Sequence, residues 1–242
     1  MPDSQRNSIE FKVWGRYALF TDPLTKVGGE KCSYHVPTYE ALKGVAKSIY
    51  WKPTLIWVVD SVRVMKRIRT QTKGTKPLEF SGGNSLAIYA FLADVEYQVR
   101  AHFEWNEQRA ELQQDRVEGK HYAIACRTLE RGGRQDIFLG TRDCQAYVEP
   151  CKFGTGSGEL DGDGELAFGL MFHGFDYPDE IGGDSLHGRF WRPTMVDGVI
   201  RFPRPEACAD RKFIRNMSVK RFGLDDNLLA VGAEAAQFEV SP

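Results

Sequence analysis

Between Ala87 and Phe103 lies the clearest alternation in the chain. Ala87, Tyr89, Phe91, Ala93, Val95, Tyr97, Val99, Ala101 and Phe103 all fall on odd positions, and polar residues fill the even ones from Asp94 onward. A period of two over this length belongs to extended chain with one face buried. The run exceeds an ordinary strand, so a bulge, a bend or two strands is expected. Whatever else the chain does, it must build a sheet around this segment.

The flanking patterns supply partners. Ile9, Phe11 and Val13 share a face in a first strand, Ile9 to Trp14, and a polar loop with Gly28 and Gly29 follows. From Thr38 to about Trp51 the period becomes helical, with Leu42, Val45, Ala46 and Ile49 on one stripe. Thr38 is placed to cap this helix and Pro53 to end it. Thr54 to Asp60 (TLIWVVD) is strongly β, and continues into Val62 to Arg69, where Val62, Val64 and Ile68 share one parity and Arg63, Arg67 and Arg69 the other. Asp115 and Glu118 have capping-box spacing before a second helix through Lys120, His121, Tyr122, Cys126 and Leu129, closed by Gly132 and Gly133. Ile137 to Val148 is again β. The order β-α-β-β-α-β predicts an α+β, ferredoxin-like (RNA-recognition-type) domain over residues 8–150.

Beyond Pro150 the texture changes. Phe153 to Gly164 is rich in glycine and acid, Leu166, Phe168, Leu170 and Phe172 alternate as a strand would, and Asp197-Gly198 reads as a hairpin turn. These features predict a smaller antiparallel β-sheet domain over 151–242, packed against the first. Residues 1–7 read as a disordered tail with no apolar core of a signal peptide. No apolar run approaches the roughly 20 residues that span a bilayer, so no membrane association is expected. Five cysteines without a CxxC pair argue for reduced thiols in a cytoplasmic protein, and against a zinc site. Net charge is −1, so any binding of nucleic acid must come from local clustering.

The topology carries a chemical consequence. Two helices on one face of such a sheet run in opposite directions, so the end of the first meets the start of the second. Tyr50 ends the first helix; Lys120 and His121 open the second. A phenol, an ammonium and an imidazole thus meet from positions about 70 residues apart. These groups suit RNA cleavage by attack of a 2′-OH on the adjacent phosphate, which needs a base, an acid and positive charge for the phosphorane but neither metal nor cofactor. A histidine beside a lysine on a helix is more often a solvated pair, and Tyr50 can equally be a packing residue. The basic run Arg63, Lys66, Arg67 and Arg69 can lie along a phosphate backbone or guard a solvated edge strand. Lys43 and Lys47 share the helix face of Tyr50 and are further candidates for contact with RNA. Gly28-Gly29-Glu30-Lys31 lacks the spacing of a phosphate-binding loop, Asp161, Asp163 and Glu165 lack that of a calcium loop, and His173 and His187 read as structural.

Five blocks go beyond pattern: GGEKCSYHVPTYEALKGVAKSIYWKP (Gly28–Pro53), RVMK (Arg63–Lys66), EGKHY (Glu118–Tyr122), GGRQDIFLGTRDCQAYVEPC (Gly132–Cys151) and FPRPE (Phe202–Glu206). Together they strongly resemble CRISPR-associated Cas family five of subtype I-C, over roughly Ser8 to Cys208. The resemblance implies a metal-independent endoribonuclease that cuts precursor CRISPR RNA at the base of the repeat hairpin. It implies that the protein then stays with the mature guide RNA as a subunit of the interference (Cascade) complex, beside its backbone and large subunits. The tyrosine, lysine and histidine ascribed to cleavage in relatives match Tyr50, Lys120 and His121. The turn Arg131-Gly132-Gly133-Arg134 matches the loop such proteins press against RNA, although a helix C-cap alone would also explain it. Two other readings stand beside this one: a non-catalytic subunit that caps the 5′ end of a guide RNA, and a ferredoxin-like domain with no nucleic-acid role.

Overall fold

The long alternating segment is one strand because it has different partners along one edge. In a computed structural model that describes residues 7–27, 29–117 and 119–219, the elements run as follows. The first half contains β1 (Ser8–Ala18), α1 (Pro23–Lys26), α2 (Tyr39–Ile49), β2 (Leu55–Val64), β3 (Thr70–Thr75), β4 (Ala87–Trp105), α3 (Lys120–Glu130), β5 (Ile137–Phe138) and β6 (Gln145–Pro150). The second contains β7 (Glu165–Ala167), β8 (Met171–Asp176), α4 (Pro178–Ile181), β9 (Ser185–Trp191), β10 (Thr194–Val196), β11 (Val199–Arg201) and β12 (Asp210–Asn216). Strand β4 pairs with β3 through its first residues, Ala87 to Leu92, and with β2 through its last, Tyr97 to Trp105. Between them Asp94 takes a left-handed φ of 53°, the bend that a run of this length requires.

The main sheet has the order β5-β6-β1-β4-β2-β11-β10-β7, and every strand pairing in it is antiparallel. A second sheet has the order β12-β9-β8. The fold is therefore α+β, built mostly from antiparallel strands. The part after Cys151 supplies the second sheet and also three strands to the edge of the first. Asp197-Gly198 makes the expected hairpin between β10 and β11, both residues at positive φ.

Helix α2 begins where Thr38 accepts the Ala41 N–H at 3.2 Å, and buries Leu42, Val45, Ala46 and Ile49. Helix α3 buries His121, Ala125 and Leu129, a spacing of four that defines one stripe. The two helices and the odd-numbered residues Phe11, Val13, Val99 and Ala101 close one apolar core, which also takes in Leu160, Met171, Met195 and Ile200 from the second half.

Four expectations need correction. Helix α3 is not opened by a capping box: its N-cap is Gly119 at φ 73°, without a side-chain bond, while Asp115 ends a 3₁₀ turn (Ala110–Asp115) and Glu118 lies outside the described residues. The basic parity does not continue through Arg69, because β2 stops at Val64. The alternation at Leu166–Phe172 splits into β7 and β8 around Gly169, whose φ of 68° breaks the strand. Of the proposed tail, residues 1–6 lie outside the described residues, whereas Asn7 is tied in, its side-chain N–H donating to the Phe103 carbonyl at 2.7 Å. No helix among the described residues is long and apolar enough to cross a membrane.

Candidate active site

The C-terminal end of α2 is touched from both ends of α3. Tyr50, the residue after α2, meets His121 in the first turn of α3. Beyond the last turn of α3, the Arg134 and Gln135 N–H groups donate to the Ser48 carbonyl at 3.1 and 3.0 Å. The second contact depends on the glycines. Gly132 and Gly133 have φ of 84° and 102°, and their N–H groups donate to Leu129 and Thr128 as the helix closes. A Cβ on Gly133 would sit 3.2 Å from the Gln135 carbonyl and from Ile137. The turn therefore folds back onto α2 only with glycine there.

Tyr50 Oη and His121 Nδ1 are 2.8 Å apart. His121 Nε2 lies 2.6 Å from the Asp115 backbone carbonyl, which can only accept, so Nε2 carries the proton and Nδ1 accepts from the phenol. Both ring nitrogens are thus in use, and Trp105 and Phe103 stand edge-on to the imidazole at 5.6 and 6.4 Å. His121 is 0% exposed and Tyr50 2%, whereas the Lys120 side chain is 43% exposed. Lys120 Nζ donates to Asp115 Oδ1 at 2.5 Å, and Thr54 donates to Oδ2 at 2.8 Å. The Lys120 ammonium and then the Thr54 hydroxyl hold the Asp115 carboxyl below its usual pKa, so it stays ionised. Burial raises the Tyr50 pKa, the Asp115 charge adds to the rise, and Arg134 opposes both. Arg134 is therefore within electrostatic reach of Tyr50, at the end of the turn that α3 throws across α2.

A family model described as "CRISPR-associated protein (Cas_Cas5)" matches residues 8–203. The chain belongs to the CRISPR-associated Cas5 family. It is 30% identical, over 175 residues, to the CRISPR pre-crRNA endoribonuclease Cas5d of Thermus thermophilus, covering 68% of this chain and 73% of that one. A second such endoribonuclease, from Mannheimia succiniciproducens, is 44% identical over 66 residues, a match spanning 27% of this chain and 28% of that protein. Among solved structures, a CRISPR-associated protein superposes with a TM-score of 0.73 at 34% identity, covering 85% of this chain and 96% of that one. A functionally uncharacterized protein from Streptococcus mutans gives 0.71 at 36% identity with the same coverage.

Within this Cas5 chain the basic residues singled out from the sequence divide sharply. Arg63 is buried, and its guanidinium donates to Asp161 at 2.6 Å, to Gln98 at 3.3 Å and to the carbonyls of Thr155 and Gly156 at 3.2 and 3.0 Å. It fastens the acidic, glycine-rich loop over the sheet and has no donors left for phosphate. Arg67 pairs with Asp163 of the same loop at 3.1 Å, and Lys66 with Asp94 at 2.7 Å. Lys43 is buried against Glu180 of α4, and Lys47 reaches the same carboxylate at 3.0 Å. These two lysines clamp the second half of the chain to α2 and are not directed at Tyr50. Arg69 is exposed. So are Arg131 and Arg134, and no carboxylate among the described residues lies within ion-pair distance of either.

Sequence reasoning missed Asp115 as a member of the site and Trp105 as a wall of it. One signal was available for Asp115: a carboxylate five residues before Lys120 is within reach of a lysine that opens a helix. Nothing in the local sequence marks Trp105, which arrives through the β2–β4 pairing. Among the described residues no group of three or more side chains is gathered to hold a metal ion.

Proposed function

We propose that this chain is a cytoplasmic, metal-independent endoribonuclease that cuts precursor CRISPR RNA at the base of the repeat hairpin and stays bound in the type I-C interference complex. In this reading the β6-β1-β4-β2 core with α2 and α3 is a ferredoxin-like domain over residues 8–150 that holds the RNA, and the described part of the second unit expected over 151–242 is a smaller β-unit, residues 220–242 lying outside the described residues. The backbone and large subunits of that complex are its protein partners, and the hairpin and mature guide its RNA partners.

The observation that carries the proposal is the 2.8 Å contact between Tyr50 and His121, from distant parts of the chain, with Lys120 beside them. A 2′-oxygen attacks phosphorus, the new P–O2′ bond forms as the P–O5′ bond breaks, and the products are a 2′,3′-cyclic phosphate and a 5′-hydroxyl. One proton leaves the 2′-OH and one reaches the departing oxygen. The tyrosine–histidine pair is suited to relay them, and Lys120 to meet the phosphorane charge. Lys120 is paired with Asp115, and a phosphate competes with that carboxylate for the same ammonium.

The test is repeat-hairpin RNA incubated in excess EDTA, beside an RNA with a 2′-deoxy nucleotide at the cut. Cleavage of the first alone supports attack by the 2′-OH without metal. Tight binding without cleavage favours the other reading, a guide-RNA cap without catalysis, for which the burial of Tyr50 and His121 speaks.

A further inference from the structure

The turn at the end of α3 faces a recess of about 580 Å³ lined by residues 131–137 and 145–147. Its far wall is Tyr147 on β6, whose side is turned to solvent, 57% exposed. Tyr147 stands opposite Trp14 on β1 in the register, and the two rings lie with centroids 6.0 Å apart and planes tilted by 35°. Lys12 sits 4.8 Å over the Trp14 ring, held there by Glu149 at 2.6 Å. Arg16, two residues further along the same face of β1, is exposed. The pair lies on the face of the sheet turned away from the core, which takes the odd-numbered residues of β1; Trp14 is half-buried and Tyr147 exposed, Glu149 answers Lys12, Glu96 stands opposite Trp14, and Arg16 is the exposed cation beside them.

We infer that Trp14 and Tyr147 form a stacking platform for an unpaired base of the RNA strand that leaves the cut site. The inference rests on the RNA reading above and extends it to residues outside the catalytic group. Continuity supports it. The Arg134 N–H donates at 3.1 Å to the Ser48 carbonyl, two residues before Tyr50, and both Arg134 and Tyr147 line the recess. A single strand passing from the scissile phosphate across Gly132-Gly133 would meet two arginines without carboxylate partners and then the aromatic rings. Stacking on such a pair accepts any base, while the cations track the backbone. Protein interfaces are also rich in tyrosine, tryptophan and arginine, so the test below separates a protein partner from RNA by assembly.

Equilibrium binding tests this, with His121→Ala protein so that the RNA stays whole. One RNA is the hairpin with its unpaired flanks; the other is the hairpin alone. A fluorescent purine analogue in the flank reports stacking. Tyr147→Ala is expected to weaken binding of the flanked RNA at least five-fold, leave the bare hairpin unchanged and abolish the quenching of the analogue. Tyr147→Phe, which keeps the ring, retains both. If Tyr147→Ala and Trp14→Leu bind the flanked RNA as the parent does, the platform is wrong while the nuclease reading stands. The platform is equally wrong if Tyr147→Ala instead loses assembly with other protein subunits. If the parent binds neither RNA, the RNA reading itself falls and the platform with it.

Discussion

Two groups of cations in this molecule look alike in sequence and differ completely in the fold. Arg63, Arg67, Lys43 and Lys47 sit in the most basic-looking stretches, yet each is answered by a carboxylate from the second half of the chain: Asp161, Asp163 or Glu180. Arg131 and Arg134, in a short glycine turn, are left exposed beside the contact of that turn with the end of α2. A buried, answered charge holds structure; an unanswered one at a recess is available to an anion. The acidic glycine-rich loop is thus a fastening for the first half, and the turn that carries Arg131 and Arg134 is where cations were left without carboxylates among the described residues.

The largest effect expected is chemical. His121→Ala should slow repeat cleavage by roughly 10²–10⁴-fold, the usual worth of a positioned proton-transfer group, while hairpin affinity by gel shift stays near the parent's. Equal cleavage by the variant would leave the Tyr50–His121 contact a packing feature. On the fastened side, Arg63→Ala should lose about 3 kcal/mol of unfolding free energy in urea titrations, because two carbonyls, Gln98 and Asp161 lose their donor together. Under conditions where it is folded, its RNA affinity should match the parent's. A stable variant with weakened RNA binding would erase the distinction between the groups.

A third prediction concerns pH. His173 is fully buried, stacked on Tyr39 at 4.2 Å, with Nε2–H donating to the Pro203 carbonyl at 3.2 Å and Arg189 against Nδ1. Burial, and then Arg189, push its pKa down to about 3, so it is neutral in the fold. The unfolded chain takes up a proton near pH 6.5 and the folded chain does not. Stability is therefore complete above about pH 6.5 and is lost as pH falls toward 3. Between pH 7 and 5 this group should remove at most about 2 kcal/mol, and urea titrations of His173→Gln should show a shallower decline. An unchanged pH slope would mean that the histidine charges within the fold. The smallest effect is on the free cations. Arg131→Ala should weaken flanked-RNA binding only a few-fold, flatten the log–log salt slope by about 0.7, the value for one single-strand phosphate, and leave the melting temperature alone.

The strand–helix order, the Thr38 cap, the helix-closing glycines and the encounter of Tyr50 with His121 were legible in the sequence. Local rules govern them: side-chain period, φ preference and chain order. The same reading placed Arg63, Lys43 and Lys47 on the RNA and did not see that His121 falls on the buried stripe with Ala125 and Leu129, which a spacing of four already implied. What chain order could not supply was the partner of each charge. Asp161 lies 98 residues from Arg63 and Glu180 137 from Lys43, and Trp105 walls the site only because β4 pairs with β2. The sequence by itself determined which segments are strands and helices and which residues are ionisable. Tertiary packing alone decided which of those charges are neutralised inside the fold and which remain open to phosphate, because an ion pair depends on distance in space and a sequence records only distance along the chain.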